Sequence, residues 1–425
     1  MIRMPPSGRR RVWRPALITP PLPPAEQPAD VVLGSLSAIN AAYTAVPSNL
    51  GRDYIIDVLP GAYGYLTVPS GYDKGTTRVR LRGVIGSRPS FAGIDARSTN
   101  NLAFDRLDLV GTVLDEFGFP SGSSTSNRAV RISDTTDVQL RRLRIENYAF
   151  GIEANDTDGV EVAYCTVRAS AVDALRLYAT ASPNVISNAH VHHCVFDANS
   201  TAVDAFPNLA TRGLHYTNDR RCAVDPRRSD QYGYGNGDSD VRNLAGALVT
   251  VTASTKSGRH PDLIQGSGPW SNVVIEDNSF TTNNIYCHGI YLNNGDFGGW
   301  ATTTGLVIRR NLITSAHPHA IAFQGLFADA TRVEQCIIRP YPTRTWALNV
   351  PGYADNTQLM WPGVSTREAS GSITVANCVL PAQIPTYWTQ VSKMIASDLV
   401  QSDTATPVGW AATDVAQGRI GHAYA

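Results

Sequence analysis

LAFDRLDL (102–109), VQLRRLRI (138–145), VEVAYCTV (160–167), AHVHHCVF (189–196), VVIEDNSF (273–280), LVIRRNLI (306–313), TRVEQCII (331–338) and ITVANCVL (373–380) repeat one pattern, apolar-x-apolar-x-x-X-x-apolar. Only the seventh copy lacks the first apolar residue. Alternation at period two on either side of a two-residue break reads as two short strands meeting at a turn, with β-branched residues favoured at the inward positions. A helix cannot produce this spacing. Repetition of such a unit along a chain is the signature of a solenoid, so the fold class expected is all-β, a single-chain parallel β-helix. The X positions are Leu107, Leu143, Cys165, Cys194, Asn278, Asn311, Cys336 and Cys378, separated by 36, 22, 29, 84, 33, 25 and 42 residues. That variation is assigned to loops.

Four of the six cysteines share this one position, alternating with Leu and Asn. Same-position residues on successive coils run in a line at ~4.8 Å spacing. A zinc site instead needs ligands converging at about 2.0–2.3 Å. The column is therefore read as an inward stack of thiols and amides, with no metal and no cofactor called for. Cys222 and Cys287 lie outside it, and whether they pair is left open.

A second repeat lies between copies of the first: FGIEAN (150–155), DALRLY (173–178), TAVDAF (201–206), DLIQGS (262–267), HGIYLN (288–293) and HAIAFQ (319–324). Aligned on Ile152, Leu175, Val203, Ile264, Ile290 and Ile321, these are read as third strands. The preceding position holds Gly151, Ala174, Ala202, Leu263, Gly289 and Ala320, expected to form an outward floor almost without side chains. Beside it should rise Glu153, Arg176, Asp204, Gln265 and Tyr291, then Tyr178, Phe206, Asn293 and Gln324.

Composition narrows the partners. The chain has 425 residues, 43% hydrophobic and 17% charged, with a formal net charge of zero, so it lacks the basic excess of a nucleic-acid binder. No apolar run approaches the ~20 residues of a membrane helix, and no membrane insertion is expected. Residues 1–29 combine Arg9, Arg10, Arg11 and Arg14 with eight prolines and lead into no apolar signal core. Such a segment cannot bury a core of its own and is read as a docking arm. After it, Asp30 is an N-cap candidate, and Val32, Leu36, Ile39 and Tyr43 recur at helical spacing, as a helix over 30–50 capping the solenoid would require.

With the strand YIIDV and the turn that follows it (54–63), the repeats over roughly residues 50–385 resemble the pectin-lyase-like right-handed parallel β-helices, which include polysaccharide lyases, glycoside hydrolases and bacteriophage tailspikes. The resemblance implies a right-handed β-helix over 51–390, interrupted by a long insertion at about 207–258 and followed by a C-terminal cap or tail over 391–425. It also implies a homotrimer. The polar stretch 218–240, with Tyr232 and Tyr234, is read as a lip over a groove.

Function is sought on the outward face because one fold hosts many activities. The run Gly258-Arg-His-Pro-Asp-Leu-Ile-Gln265 is the densest polar constellation. Lyase chemistry needs a base and a cation: His260, His288 or Tyr291 with Arg259 or Arg176. Hydrolysis needs two carboxyls, and Glu153 with Asp204, or Asp173 with Asp262, would stand about 9.6 Å apart if two coils separate them. The competing reading of the first pair is a surface charge ladder tied by Arg176. Histidines before a strand, His288 and His319, also serve turn backbone groups, and His190, His192 and His193 look less specific still.

The catalytic candidates are thus Asp262, His260, His288 and Arg259. The substrate-binding candidates are Glu153, Arg176, Tyr178, Asp204, Gln265, Tyr291, Asn293, His319 and Gln324. The leading expectation is a virion-associated spike or tail protein of a phage or phage-like particle, made without a signal peptide. It would bind host surface polysaccharide, with or without cleaving it, and join its assembly through residues 1–29. Two alternatives stand beside it: a free, extracellular polysaccharide lyase or glycoside hydrolase, and a purely structural β-helix.

Overall fold

The computed structural model describes residues 27–111, 127–170, 172–180, 184–198, 239–242, 248–251, 262–282, 288–294, 302–315, 319–328, 330–340, 363–380, 394–397 and 400–401. Among them the strands fall into three parallel stacks. The first runs in chain order from Val31–Leu33 through Tyr54–Val58, Thr136–Arg141, Asp158–Ala163 and Trp270–Glu276 to Met394–Ser397. The second, of short strands, contains Asp108–Val110, Arg144–Glu146, Thr166–Arg168, Val195–Asp197, Ser279–Thr282 and Leu312–Ser315. The third contains Arg128–Ser133, Phe150–Asn155, Asp173–Tyr178, Asp262–Ser267, His288–Asn294 and His319–Leu326. From Thr136–Arg141 to Val379–Leu380 the described strands follow the order first, second, third stack in each coil, and a crossover between parallel strands of one sheet turns right-handed.

Each of the eight repeats is one coil, because every second-stack strand pairs with the next copy's strand without an intervening coil. The turn between first and second stacks has one form throughout. The residue before X is left-handed in every copy, at Arg106, Arg142, Tyr164, His193, Asp277, Arg310, Gln335 and Asn377, with φ between 50° and 57°. None is glycine, although this conformation costs an L-residue roughly 1–2 kcal/mol. Part of that cost is offset by the coil ladder, in which Arg142 N donates to Ala163 O at 2.9 Å and Arg310 N to Glu334 O at 3.1 Å.

The next residue, X, turns inward, and all eight are buried. Its side chain serves the coil before it. Asn278 Oδ1 accepts from Cys194 N at 2.9 Å while Asn278 Nδ2 donates to Val191 O at 3.0 Å. Asn311 repeats both bonds to Asn278 N and Ile275 O, at 3.0 and 2.8 Å. Cys194 does the same for Cys165 N and Val162 O, each at 3.4 Å. A buried N–H and a buried carbonyl are left by each turn, and both must be paired. Asn and Cys each carry a donor and an acceptor on a short stem, which suits them to this task; Leu107 and Leu143, at the same position in the first two copies, fill the column without it. Cys165, Cys194, Cys336 and Cys378 are free thiols.

Several expectations change. The helix spans Leu36–Ala45 with Ser35 as its N-cap, accepting from Ala38 N at 3.2 Å. Asp30 instead accepts from Ile55 N and pairs with Arg52, because Val31–Leu33 is the first strand of the solenoid and pairs with Tyr54–Val58. Val32 is 53% exposed, while Ile39 and Tyr43 are buried as the helical spacing requires. At the far end Met394–Ser397 and Val400–Gln401 continue the first and second stacks.

Leu175 pairs directly with Ile264, so DALRLY and DLIQGS are neighbours in the third stack, and TAVDAF lies outside the described residues. A long segment separates Val195–Asp197 from Asp262–Ser267. Within it, Ser239–Arg242 pairs antiparallel with Leu248–Val251. Ala202, Asp204, Phe206, Cys222, Tyr232, Tyr234, Arg259, His260, Cys287 and residues 1–26 lie outside the described residues.

Candidate functional site

The third-stack register is the one the apolar alignment anticipates: Ile152 pairs with Leu175, Leu175 with Ile264, Ile264 with Ile290 and Ile290 with Ile321. The floor is different. Ala174, Leu263 and Ala320 belong to the buried core. A Cβ on Gly151 would lie 2.4 Å from Ala174 O and 2.6 Å from Val167 Cγ1, and one on Gly289 would lie 2.6 Å from Ala320 O. These positions are corners where the strand enters from the second stack, so their small size serves coil-to-coil approach and leaves no trough. The residues before these corners, Arg128, Phe150, Asp173, Asp262 and His288, form one row, in which all but Arg128 are buried.

Beside this row stand Arg131, Glu153, Arg176, Gln265, Tyr291 and Ala322, and beyond them Ser133, Asn155, Tyr178, Ser267, Asn293 and Gln324. Glu153 is only 2% exposed. Arg128 holds it at 2.6 Å, and Arg131 and Arg176 each approach to 3.7 Å. Asn155 Nδ2 adds a bond to Glu153 Oε1 at 3.0 Å. Of the charge ladder considered above, the structure describes the Arg176–Glu153 side, buried rather than at the surface, with two further arginines that the aligned repeats leave out; Asp204 lies outside the described residues. The signal for them was present in RAVRIS (128–133), one coil earlier, whose Val130 pairs with Ile152.

Arg176 lies between two aromatic faces, 4.8 Å from the Phe150 centroid and 3.8 Å from that of Tyr178, and 3.6 Å from Asp173. Burial works against its charge, but Asp173, Tyr178 and Glu153 outweigh it and push its pKa up. Burial, followed by the Asp173 charge, raises the Tyr178 phenol. Oriented with its amide nitrogen toward Asp173, Gln265 donates to both carboxylate oxygens at 2.8 and 3.1 Å and to the Tyr178 hydroxyl at 2.9 Å.

Asp173 and Asp262 are register partners on adjacent strands, so their backbones are one strand spacing apart, about 4.8 Å, rather than two coils. Both are buried, at 0% and 1% exposure. Two such carboxylates need different partners. Asp173 has Arg176 and Gln265, whereas Asp262 accepts from His288, whose Nδ1 lies 2.7 Å from Oδ1 and whose backbone N donates at 3.2 Å. The imidazole stacks on Tyr291 at 4.9 Å and 20°, and the Tyr291 hydroxyl donates to Gln324 Oε1. With Nδ1 held by Asp262, proton exchange with any bound molecule would run through Nε2 of His288.

The structure thus brings together Asp262, His288, Gln265, Tyr291, Gln324, Arg176, Tyr178 and Glu153. Asn293 is in the outward row but buried. His319 opens its strand, and its side chain lies outside the described residues. Among the described residues no trio of His, Cys, Asp or Glu is arranged to hold a metal ion, and no helix is long and apolar enough to cross a membrane.

Parallel pairing from coil to coil through two sheets of 13 and 18 strands decides the architecture. The chain is a right-handed parallel β-helix. No protein family matches its sequence, and no curated protein does. Among solved structures, this β-helix is similar to the catalytic domain of a GH87 alpha-1,3-glucanase in complex with nigerose, at 10% identity over 90% of this chain and 67% of that one, TM-score 0.37. It is similar to a pectate lyase from Paenibacillus sp. 0602, at 10% identity over 88% and 78%, TM-score 0.32. It is also similar to the Dettilon tailspike protein, at 11% identity over 88% and 63%, TM-score 0.34.

Proposed function

We propose that this β-helix binds a polysaccharide along the outward face of its third stack and that the Asp262–His288 pair can move a proton there. The observation that carries the reading is the pair itself: a buried carboxylate orienting an imidazole, in one row of the third stack, with hydrogen-bonding amides and an aromatic face beside it. A purely structural ladder explains Glu153, whose charge three arginines match, but it gives no reason to bury an imidazole against a second carboxylate one strand from Asp173. Gln265, Gln324 and the phenol of Tyr291 offer the donors and acceptors that sugar hydroxyls need.

In this reading Asp262 fixes the His288 tautomer and His288 acts as general acid or base. Asp173, paired with Arg176, stabilises positive charge that develops on a sugar ring. The finer assignment, a spike or tail component of a phage-like particle, rests on the Pro/Arg-rich character of residues 1–29 and the resemblance stated above.

One experiment addresses both levels. The full chain and a chain lacking residues 1–29 are screened on an array of surface polysaccharides, and bound glycans are then assayed for new reducing ends and for unsaturated products. Both chains are expected to bind the same glycan, with Asp262→Asn and His288→Gln abolishing any product while leaving most of the binding. Only the full chain should join particles. Absence of binding by both chains would overturn the glycan reading, and particle incorporation of the truncated chain would overturn the virion assignment alone.

A further inference from the structure

The first stack carries a second cluster, far from the row just described in its chemistry and built from residues that the glycan reading does not use. His190, His192 and His193 fall on one strand and its turn, with His190 and His192 rings 4.1 Å apart. His192 Nδ1 and His193 Nδ1 face each other at 2.9 Å. Two ring nitrogens at that distance hold one proton between them: one donates and the other must be bare.

The surroundings are charged on both sides. From the preceding coil, Glu161 meets His192 Nε2 at 3.1 Å and is itself paired with Arg141 at 2.6 Å, and the Tyr164 ring packs on His193 at 5.0 Å. From the following coil, Glu276 meets His190 Nε2 at 2.8 Å. Glu276 is also held by Arg309 and Arg310, and Asp277 by Arg310 at 2.7 Å. His193 is one of the left-handed turn residues, at φ 55°, and the turn leads straight into Val195–Asp197 and then the insertion that returns at Asp262.

We propose that this cluster is an acid-sensitive latch on the turn at His193, closed by the imidazole–imidazole hydrogen bond and opened when both rings are protonated. With two Nδ1–H groups facing each other the bond cannot form, and the turn loses a side-chain contact that adds to its backbone bond from His193 N to Glu276 O. The direction of titration agrees. Burial holds His193 below the usual imidazole value, Asp277 and Glu276 pull it up, and His192 and Arg310 push it down, with a net lowering. The unfolded turn therefore binds a proton more readily than the folded one, so its stability is full above pH ~6.5 and falls as pH drops through the folded value. Glu161 and Glu276 do not share this window. Despite burial, His192 and Arg141 hold Glu161 at about 2, and Arg309 and His190 hold Glu276 at about 2, so both stay ionised while the latch opens.

Amide hydrogen exchange of the full chain at pH 7.5 and 5.5, corrected for intrinsic rates, tests this without any ligand. Protection of the Cys194–Phe196 amides is expected to fall at least tenfold more than that of the equivalent Cys165–Val167 amides one coil earlier. His193→Asn, which tolerates the left-handed turn, should remove the difference between the two pH values, and His192→Gln should do the same by a separate route. Equal protection at both pH values in the wild type, or an unchanged pH response in either folded variant, overturns the proposal.

Discussion

Replacing Asn278 with leucine is expected to destabilise the solenoid by about 4 kcal/mol, within a range of roughly 2–6, because it orphans two buried backbone groups at once. Cys194 N loses its acceptor and Val191 O its donor, and leucine of similar volume supplies neither. The loss would also sever the link to Asn311, to which the Asn278 amide donates at 3.1 Å. Asn278→Cys is the informative control. Cysteine carries out both tasks one coil earlier, where Cys194 serves Cys165 N and Val162 O. It should therefore recover more than half of the loss. The check is the urea midpoint of all three proteins followed by far-ultraviolet circular dichroism. A leucine variant as stable as the wild type would mean that these turns do not need side-chain partners.

The second large effect is expected at Glu153. Glu153→Ala removes the one anion that Arg128, Arg131 and Arg176 approach together, at a position almost without solvent. Breaking a buried ion pair by deleting one partner costs about 3–5 kcal/mol, and here three cations lose the same partner. Glu153→Gln keeps an acceptor for Arg128 and for Asn155, so it should cost about half as much. The distinction matters for function. If Glu153 is structural, Glu153→Gln should leave glycan binding within about twofold of wild type when measured well below its melting temperature. A tenfold loss of binding in a folded Glu153→Gln protein would move Glu153 from scaffold to site.

Where the sequence was legible, it was so because a solenoid repeats its local physics. The alternation around X, the inward column and the Ile152–Leu175 alignment each depend only on period two and burial, and each appears in the register. Reading failed at the corners. Gly151, Ala174 and Gly289 look outward by simple alternation counted from Ile152, but a strand that bends as it enters its stack turns two successive residues inward. Counting parity through a corner cannot reveal this, whereas the buried Leu263 in the same series was a warning, since leucine does not suit an exposed floor. The alignment also could not show that DALRLY and DLIQGS are neighbours, because a matching six-residue stretch carries no information on which copies pair.

The site was half visible. Asp262 and His288 share an alignment column on successive copies, so their meeting follows from the alignment itself. The separation of Asp173 from Asp262 was misjudged by one coil because TAVDAF was counted between them. Asp30 shows a further limit of local reading, because its N-cap chemistry is sound but a strand pairing with residues 54–58 competes for the same chain and wins. Long-range parallel pairing leaves no mark at the position that yields to it.

The account stands most directly on where a sugar sits. A structure of the Asp262→Asn protein with an oligosaccharide of the bound polysaccharide should place sugar rings over the third-stack face. Hydroxyls should lie within hydrogen-bond reach of His288 Nε2 and Gln324, with one ring against Tyr291. Sugar seated on the first or second stack, with the His288 row unoccupied or covered along its length by another protein chain, would contradict it.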